Sequence, residues 1–326
     1  MHHTKIAVFR SLTIAGLCFL GTLAPAQEYP TKSIRFVVPN APGGGTDLMA
    51  RVISQKLSEA WGHAVVVENR AGGTGAVGSV FVAKSPADGY SLLLVTSSTH
   101  AISPALQSNL PYDPVKDFAP VSLVATGPQV LVMHPSVPAK TAKELVALAK
   151  SRPNGLNYAS AGVGSLGHMG MELFKSVAGM KIVHVAYKGT GAAITDELSG
   201  YVQLMFSGPG AVIAHVQARK LKAIVVANPK RTVGFEDVPT FAEAGYPAVE
   251  AAQWYGVVTT AGTPSVVVTK LNREIVRILK LPDPQSQFLA NGYTPDSNTP
   301  EQFSQLIRKE LAKWQKVVKE TGIRVE

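Results

Sequence analysis

Short β-branched runs recur along this chain, and each is followed by glycine, proline or hydroxyl residues before a helical pattern begins. Ile34–Val38, apolar apart from Arg35, reads as a buried-type strand. Beyond Pro39–Gly45, the residues Met49, Val52, Ile53, Leu57 and Ala60 recur at helical spacing. They predict a helix from Thr46 to Trp61, stopped by Gly62. Ala64–Glu68 reads as a second strand and 69–75 as a second glycine turn. A short helix from Ala76 to Lys84 follows, then a third strand, Ser91–Val95, ending in Thr96-Ser97-Ser98. After the proline-punctuated loop Ser108–Asp117, Val121–Val124 and Gln129–His134 read as strands separated by Gly127-Pro128.

The rhythm then repeats. Thr141–Lys150 is a helix with Thr141 as cap and Glu144 at the capping-box position. Leu156–Ala159 is a strand, 160–165 a glycine turn, and Ser165–Val177 a helix with Met169, Leu173 and Val177 on one face. Ile182–Val185, Val202–Phe206 and Leu221–Val226 are further strands, with a helix at Gly191–Leu198. Strand, glycine turn, helix, strand is the order of an α/β domain. Its return in the second half predicts two such domains facing each other. Gln253–Val258 is a last strand, followed by helices at Pro264–Leu279 and Pro300–Thr321; periodicity leaves open which domain they join.

Composition changes this picture at the N-terminus. Lys5 and Arg10 precede a mostly apolar stretch, Ser11–Leu23, too short to span a bilayer, and Ala24-Pro25-Ala26 has a small-x-small cleavage pattern. The expectation is a secretory signal peptide, residues 1–26, cut after Ala26, and a periplasmic protein. Cys18 is the only cysteine, so a mature chain would depend on packing rather than disulfides. The net charge of +9 falls to +7 without Lys5 and Arg10. The basic residues are dispersed and form no block, which argues against nucleic-acid binding.

The glycine turns carry the candidate chemistry. Gly73-Thr74-Gly75-Ala76-Val77-Gly78 and Gly162-Val163-Gly164-Ser165-Leu166-Gly167 both match G-x-G-x-x-G. The next strands end in Thr96-Ser97-Ser98 and Tyr187-Lys188, without the acid that would hold a ribose. No lysine follows the glycines as a phosphate loop requires. The histidines have no acid or cysteine at ligand spacing, so neither metal nor cofactor is expected. Unpaired N–H groups and the dipole at a helix start suit a bound anion, and glycine lets it approach the backbone. Thr46 and Ser165 add hydroxyls at such starts, and Asp47 is placed to pair with Arg51. The rival reading is an exported serine-type hydrolase using Ser165 with His168 or His184.

Pro42-Gly43-Gly44-Gly45-Thr46-Asp47…Arg51 and Asn69-Arg70-Ala71-Gly72-Gly73 resemble the opening loops of the Bug-type receptors. These are the extracytoplasmic substrate-binding proteins of tripartite tricarboxylate transporters. Tyr158–Ser165…His168, His184–Gly189, Gly262-Thr263-Pro264 and the Trp314 helix extend the likeness over nearly all of the mature chain. The resemblance implies a two-domain periplasmic-binding-protein clamshell, each domain a mainly parallel sheet flanked by helices. One domain would be 27–127 with 253–326 and the other 128–252. It also implies a monomeric receptor, not an enzyme, that holds a small carboxylate and delivers it to membrane permease subunits or a sensor protein. The implied ligand residues are Asn40, Ala41, Gly43, Gly44, Gly45 and Thr46, then Gly73, Thr74, Thr96 and Ser97. In the second half they are Ser160, Ala161, Gly162, Gly164, Ser165, His168, Tyr187 and Ser207. The sequence departs from the family at Asn40, often aromatic, at Ala186, often proline, and at Ser207, often aspartate. Losing an acid at 207 removes a partner for an amine and points to a ligand without an amino group.

Overall fold

A computed structural model describes residues 28–40, 42–187 and 189–323. The expected signal peptide and the candidate Ala41 lie outside the described residues. The chain opens with β1 (Ile34–Val38) and α1 (Gly45–Trp61), whose buried face is Met49, Val52, Ile53 and Leu57. Gly62 ends that helix at φ 69°, a left-handed conformation that glycine adopts without strain. Next come β2 (Val65–Asn69), α2 (Ala76–Ala83) and β3 (Ser91–Thr96), all six residues of β3 being buried. A π-helical turn at Ser98–Ile102 leads into α3 (Ser103–Leu106) and β4 (Phe118–Gly127).

The middle of the chain supplies β5 (Gln129–Met133), α4 (Ala142–Ser151), β6 (Asn157–Ser160) and α5 (Leu166–Ala178). It continues with β7 (Val183–Ala186), α6 (Thr190–Ser199), β8 (Leu204–Ser207), α7 (Pro209–Gln217) and β9 (Lys222–Ala227). The last elements are β10 (Gln253–Thr260), α8 (Ser265–Leu279), α9 (Pro282–Ala290), β11 (Thr294–Pro295) and α10 (Pro300–Thr321).

These strands form two sheets, ordered β11-β4-β10-β3-β1-β2 and β7-β6-β8-β5-β9. The first sheet draws on both ends of the chain and the second only on its middle. Parallel ladders join β2, β1 and β3 in one and β7, β6 and β8 in the other. Each sheet also holds a strand antiparallel to both neighbours: β10 between β3 and β4, and β5 between β8 and β9. The sheets are therefore mixed rather than uniformly parallel. These two strands directly follow the places where the chain passes from one sheet to the other.

One apolar cluster packs α1 and α8 on the first sheet through Phe36, Met49, Ile53, Leu94, Leu271 and Ile275. A larger one runs from the first sheet into the second through Val95, Leu131, Met169, Phe174, Trp254 and Trp314. Helix α10 closes it with Phe303, Ile307, Trp314 and Val317 buried along one face. Its start is fixed by the Thr299–Gln302 capping box. A Cβ on Gly256 would meet the Phe303 ring at 2.0 Å, so only glycine lets that ring lie on β10.

Short elements marked by proline escape the sequence pattern. Helices α7 and α9 begin with Pro209 and Pro282 in their first turns, and the sequence pattern assigns no element there. Proline fits a first helical turn because its missing N–H would have no intrahelical acceptor there.

Candidate functional site

A cavity of about 450 Å³ lies between the sheets. Its wall is built where β1, β3, β6 and β8 end and the helices after them begin. The antiparallel strands β5 and β10 start at the same edge and add Gln129, Gln253 and Tyr255. No Asp, Glu, Lys, Arg or His lies on this wall among the described residues.

On the first-sheet side, α1 starts one residue earlier than its pattern predicts. Gly44, in extended conformation, is the N-cap, with no side-chain capping bond, so Thr46 is not the cap. Thr46 is buried on the cavity wall in the first helical turn. The N–H groups of Gly45 and Thr46 precede any intrahelical acceptor and have none among the described residues. Gly43 is at φ 86° and donates its N–H to Asp47 Oδ2 at 3.0 Å. Asp47 also accepts from Arg51 Nε at 2.9 Å and Asn69 Nδ2 at 3.0 Å. The Arg51 hydrogen bond is the chief cause that holds its carboxyl down to about pKa 2. A Cβ on Gly45 would meet the Tyr293 hydroxyl at 1.9 Å, so the helix start packs directly on that ring.

On the second-sheet side, Gly164 is at φ 78° and donates its N–H to His168 Nδ1 at 3.1 Å. That amide is taken, and the donors left at the start of α5 are the first-turn N–H groups of Leu166 and Gly167 and the Ser165 hydroxyl. Ser165 caps α5 by accepting from His168 N–H at 3.3 Å, which leaves its own proton available. Gly167 is pinned to glycine by the Phe206 carbonyl oxygen, 2.5 Å from where a Cβ would lie. Thr190, at the start of α6, and Gly208, the cap of α7, bring two more helix starts to the wall.

Of the residues singled out in the sequence, the structure gathers Asn40, Gly44, Gly45, Thr46, Thr74 and Thr96 on the wall from the first sheet. Ala161, Gly164, Ser165 and Ser207 join them from the second. Seven others are not on it. Gly43 is turned to Asp47, and Gly73 sits in the turn that precedes α2. Ser97 is fully buried behind β3, and Tyr187 donates its hydroxyl to Asp196. Ser160, Gly162 and His168 bond within the second turn. The sequence reading missed Ser98, Thr99, Gln129, Leu166, Gly167, Thr190, Met205, Phe206, Gly208, Gln253 and Tyr255. Gly189-Thr190 and Gly208-Pro209 carried the signal of a helix start after a strand. The glutamines and Tyr255 carried none.

The hydrolase geometry is not assembled. Ser165 Oγ bonds the backbone of His168 and not its ring, whose Nδ1 is held by Gly164. His184 Nε2 lies 2.7 Å from Ser160 Oγ. Neither imidazole is placed to take the Ser165 proton, as nucleophile activation requires.

Two α/β domains around a cavity whose described lining carries no charged side chain have the periplasmic-binding-protein architecture of a solute-binding protein. Residues 49–323 match the model of the tripartite tricarboxylate transporter family receptors, and the chain belongs to that family. Protein BugT of Bordetella pertussis is 38% identical, the match covering 97% of this chain and 99% of BugT. The solved structure of R. palustris Rpa4515 with adipate is 35% identical, with a TM-score of 0.78, covering 91% of this chain and 99% of that one. MatC from Rhodopseudomonas palustris with bound malate is 31% identical, with a TM-score of 0.74, covering 89% and 100%.

Proposed function

We propose that this chain is a periplasmic receptor that captures a small organic acid in the cavity and delivers it to membrane permease subunits, without a catalytic step. The observation that carries the reading is the uncharged wall with helix starts from both sheets. With no basic side chain on it among the described residues, the groups suited to a carboxylate are first-turn amides and hydroxyls, reinforced by the helix dipoles. Gly45 and Thr46 on one side and Ser165, Leu166 and Gly167 on the other are the donors we assign. The same wall holds no acid to pair an ammonium group, and Ser207 stands at the end of β8. The ligand is therefore a carboxylate without an amine. The adipate and malate of the two relatives agree with that class. The domain limits that fit this reading are 27–127 with 253–326 and 128–252, with export as a monomer after cleavage behind Ala26.

Thermal-shift and calorimetric titration with adipate, malate, glutarate and glutamate test it. A bound dicarboxylate at ~100 times its Kd adds about 2.7 kcal/mol of stability and is recovered unchanged. Glutamate, which is glutarate with an amine, binds more weakly than glutarate. Conversion of the ligand, or glutamate binding as tightly as glutarate, would sink the proposal.

A further inference from the structure

Behind the second turn lies a group of rings, His168 and Tyr158 buried and His184 half-buried, that is not part of the cavity wall. His168 and His184 lie face to face, centroids 4.0 Å apart and 15° from parallel. Tyr158 lies alongside the pair, its ring centroid 4.8 Å from that of His184 and 6.4 Å from that of His168. The hydrogen bonds decide the state of His168. Its Nδ1 receives the Gly164 N–H, so that nitrogen carries a lone pair and the ring is neutral with its proton on Nε2. At the other end of the turn, Ser160 Oγ receives the Gly162 N–H at 3.2 Å and donates to the Gly162 carbonyl at 3.0 Å. With its one proton so placed, Ser160 accepts from Nε2–H of His184 at 2.7 Å.

We propose that His168 is a positioning residue for the cavity. As a neutral acceptor stacked on His184, it ties back the Gly164 N–H and so holds Ser165, Leu166 and Gly167 with their free donors turned to the ligand. Protonation of Nδ1 would set N–H against N–H and release the turn.

The surroundings favour the neutral ring. Burial lowers His168 to about pKa 4, with Lys175 adding to the shift. His184 is lowered likewise to about 4, first by burial and then by the His168 charge. The other ionisable groups facing the pair are Tyr158 on β6 and Glu172 and Lys175 on α5. Glu172 accepts from the Tyr158 hydroxyl and pairs with Lys175, so its charge is already matched. The site is thus built to keep His168 uncharged at neutral pH and to free it in acid.

The test has one arm that needs no ligand. Nitrogen-15 NMR of the histidine rings at pH 7 should show His168 as the Nε2–H tautomer, titrating well below the ordinary histidine pKa of about 6.5. His168→Phe keeps the stacked ring and removes the acceptor, so the Gly164 amide should exchange about 5-fold or more faster with solvent. His168→Asn, whose Oδ1 can take the same N–H, should restore the protection. The second arm rests on the receptor reading and uses adipate as probe. Its Kd should rise about 5–10-fold in His168→Phe. Below about pH 5 the loss of affinity should be steeper in the natural protein than in His168→Asn, the protonation of adipate itself being common to both. An Nδ1–H tautomer at pH 7, or a Gly164 amide equally protected with phenylalanine at 168, overturns the proposal. A natural protein that ignores adipate contradicts the receptor reading on that probe, and the NMR arm still decides the role of His168.

Discussion

The two glycine turns across the cavity follow one plan with different acceptors. In each, a left-handed glycine lies just before the N-cap and donates its N–H to the side chain four residues on, at the third position of the helix. For Gly43 that side chain is Asp47, and for Gly164 it is His168. The first acceptor is an anion that gains from the helix dipole and is matched by Arg51 and Asn69. The second is a neutral ring packed among Tyr158, His184 and the core. A charge can serve as the acceptor where a guanidinium can reach it from solvent. In the apolar interior an unmatched charge would be too costly, and a neutral imidazole does the same work. The first cap is a bare glycine and the second a serine, so only the second turn offers a capping hydroxyl to a ligand.

That contrast breaks most sharply at the caps. Ser165→Ala removes a hydroxyl that binds a charged group, worth about 1.5–3 kcal/mol, or roughly 10–150-fold in the adipate Kd. Gly44→Ala, which removes no donor, should leave the Kd within a few-fold; calorimetry of both would show equal losses if the turns were equivalent. Next in size is the loss of the charged acceptor. Asp47→Ala strands the Gly43 N–H, Arg51 and Asn69, and should lower stability by about 1–3 kcal/mol in urea unfolding. Asp47→Asn keeps an acceptor and should cost less.

Acid should separate the turns by pH range. The folded-state pKa of His168 is depressed to about 4 and that of buried His100 to about 3, both by burial. The unfolded chain binds protons at these sites first, so stability present near pH 7 is lost as pH falls through about 6.5 toward 4. Each should contribute a loss of about 1 kcal/mol by pH 5.5, or roughly 2–4 °C in Tm. His168→Asn should flatten that slope. Asp47, depressed to about 2, loses its contribution only below about pH 4, the unfolded value. Glu197 works in the opposite direction: burial raises it to about 8, so its stabilisation is full below about pH 4.5 and fades toward 8. Glu197→Gln should remove that alkaline decline. The smallest effect is expected at Arg51, more than half exposed in its pair with Asp47. Arg51→Ala should change stability in urea unfolding by less than about 1 kcal/mol and leave adipate binding nearly intact in calorimetry.

The sequence by itself determined most of the elements and the existence of the turns. Helical spacing in α1, α5, α8 and α10 and the β-branched runs of β1 and β3 are local properties. A glycine cluster between a strand and a helix is local too, so Gly44, Gly45 and Gly164 could be singled out before their neighbours were known. Tertiary structure alone decided which amides are free. The sequence reading named Gly43 and Gly164 among the ligand residues; only the structure shows that their N–H groups go to Asp47 and His168, because the direction of an N–H depends on φ and ψ rather than residue type. Nor does a linear pattern show that β10 enters the first sheet between β3 and β4. That pairing joins residues more than a hundred positions apart, and it carries Gln253 and Tyr255 to the wall while β5 brings Gln129 from the other sheet. Spacing along a chain encodes what lies within a few residues, while a cavity between two sheets is made by contacts whose partners only folding brings together.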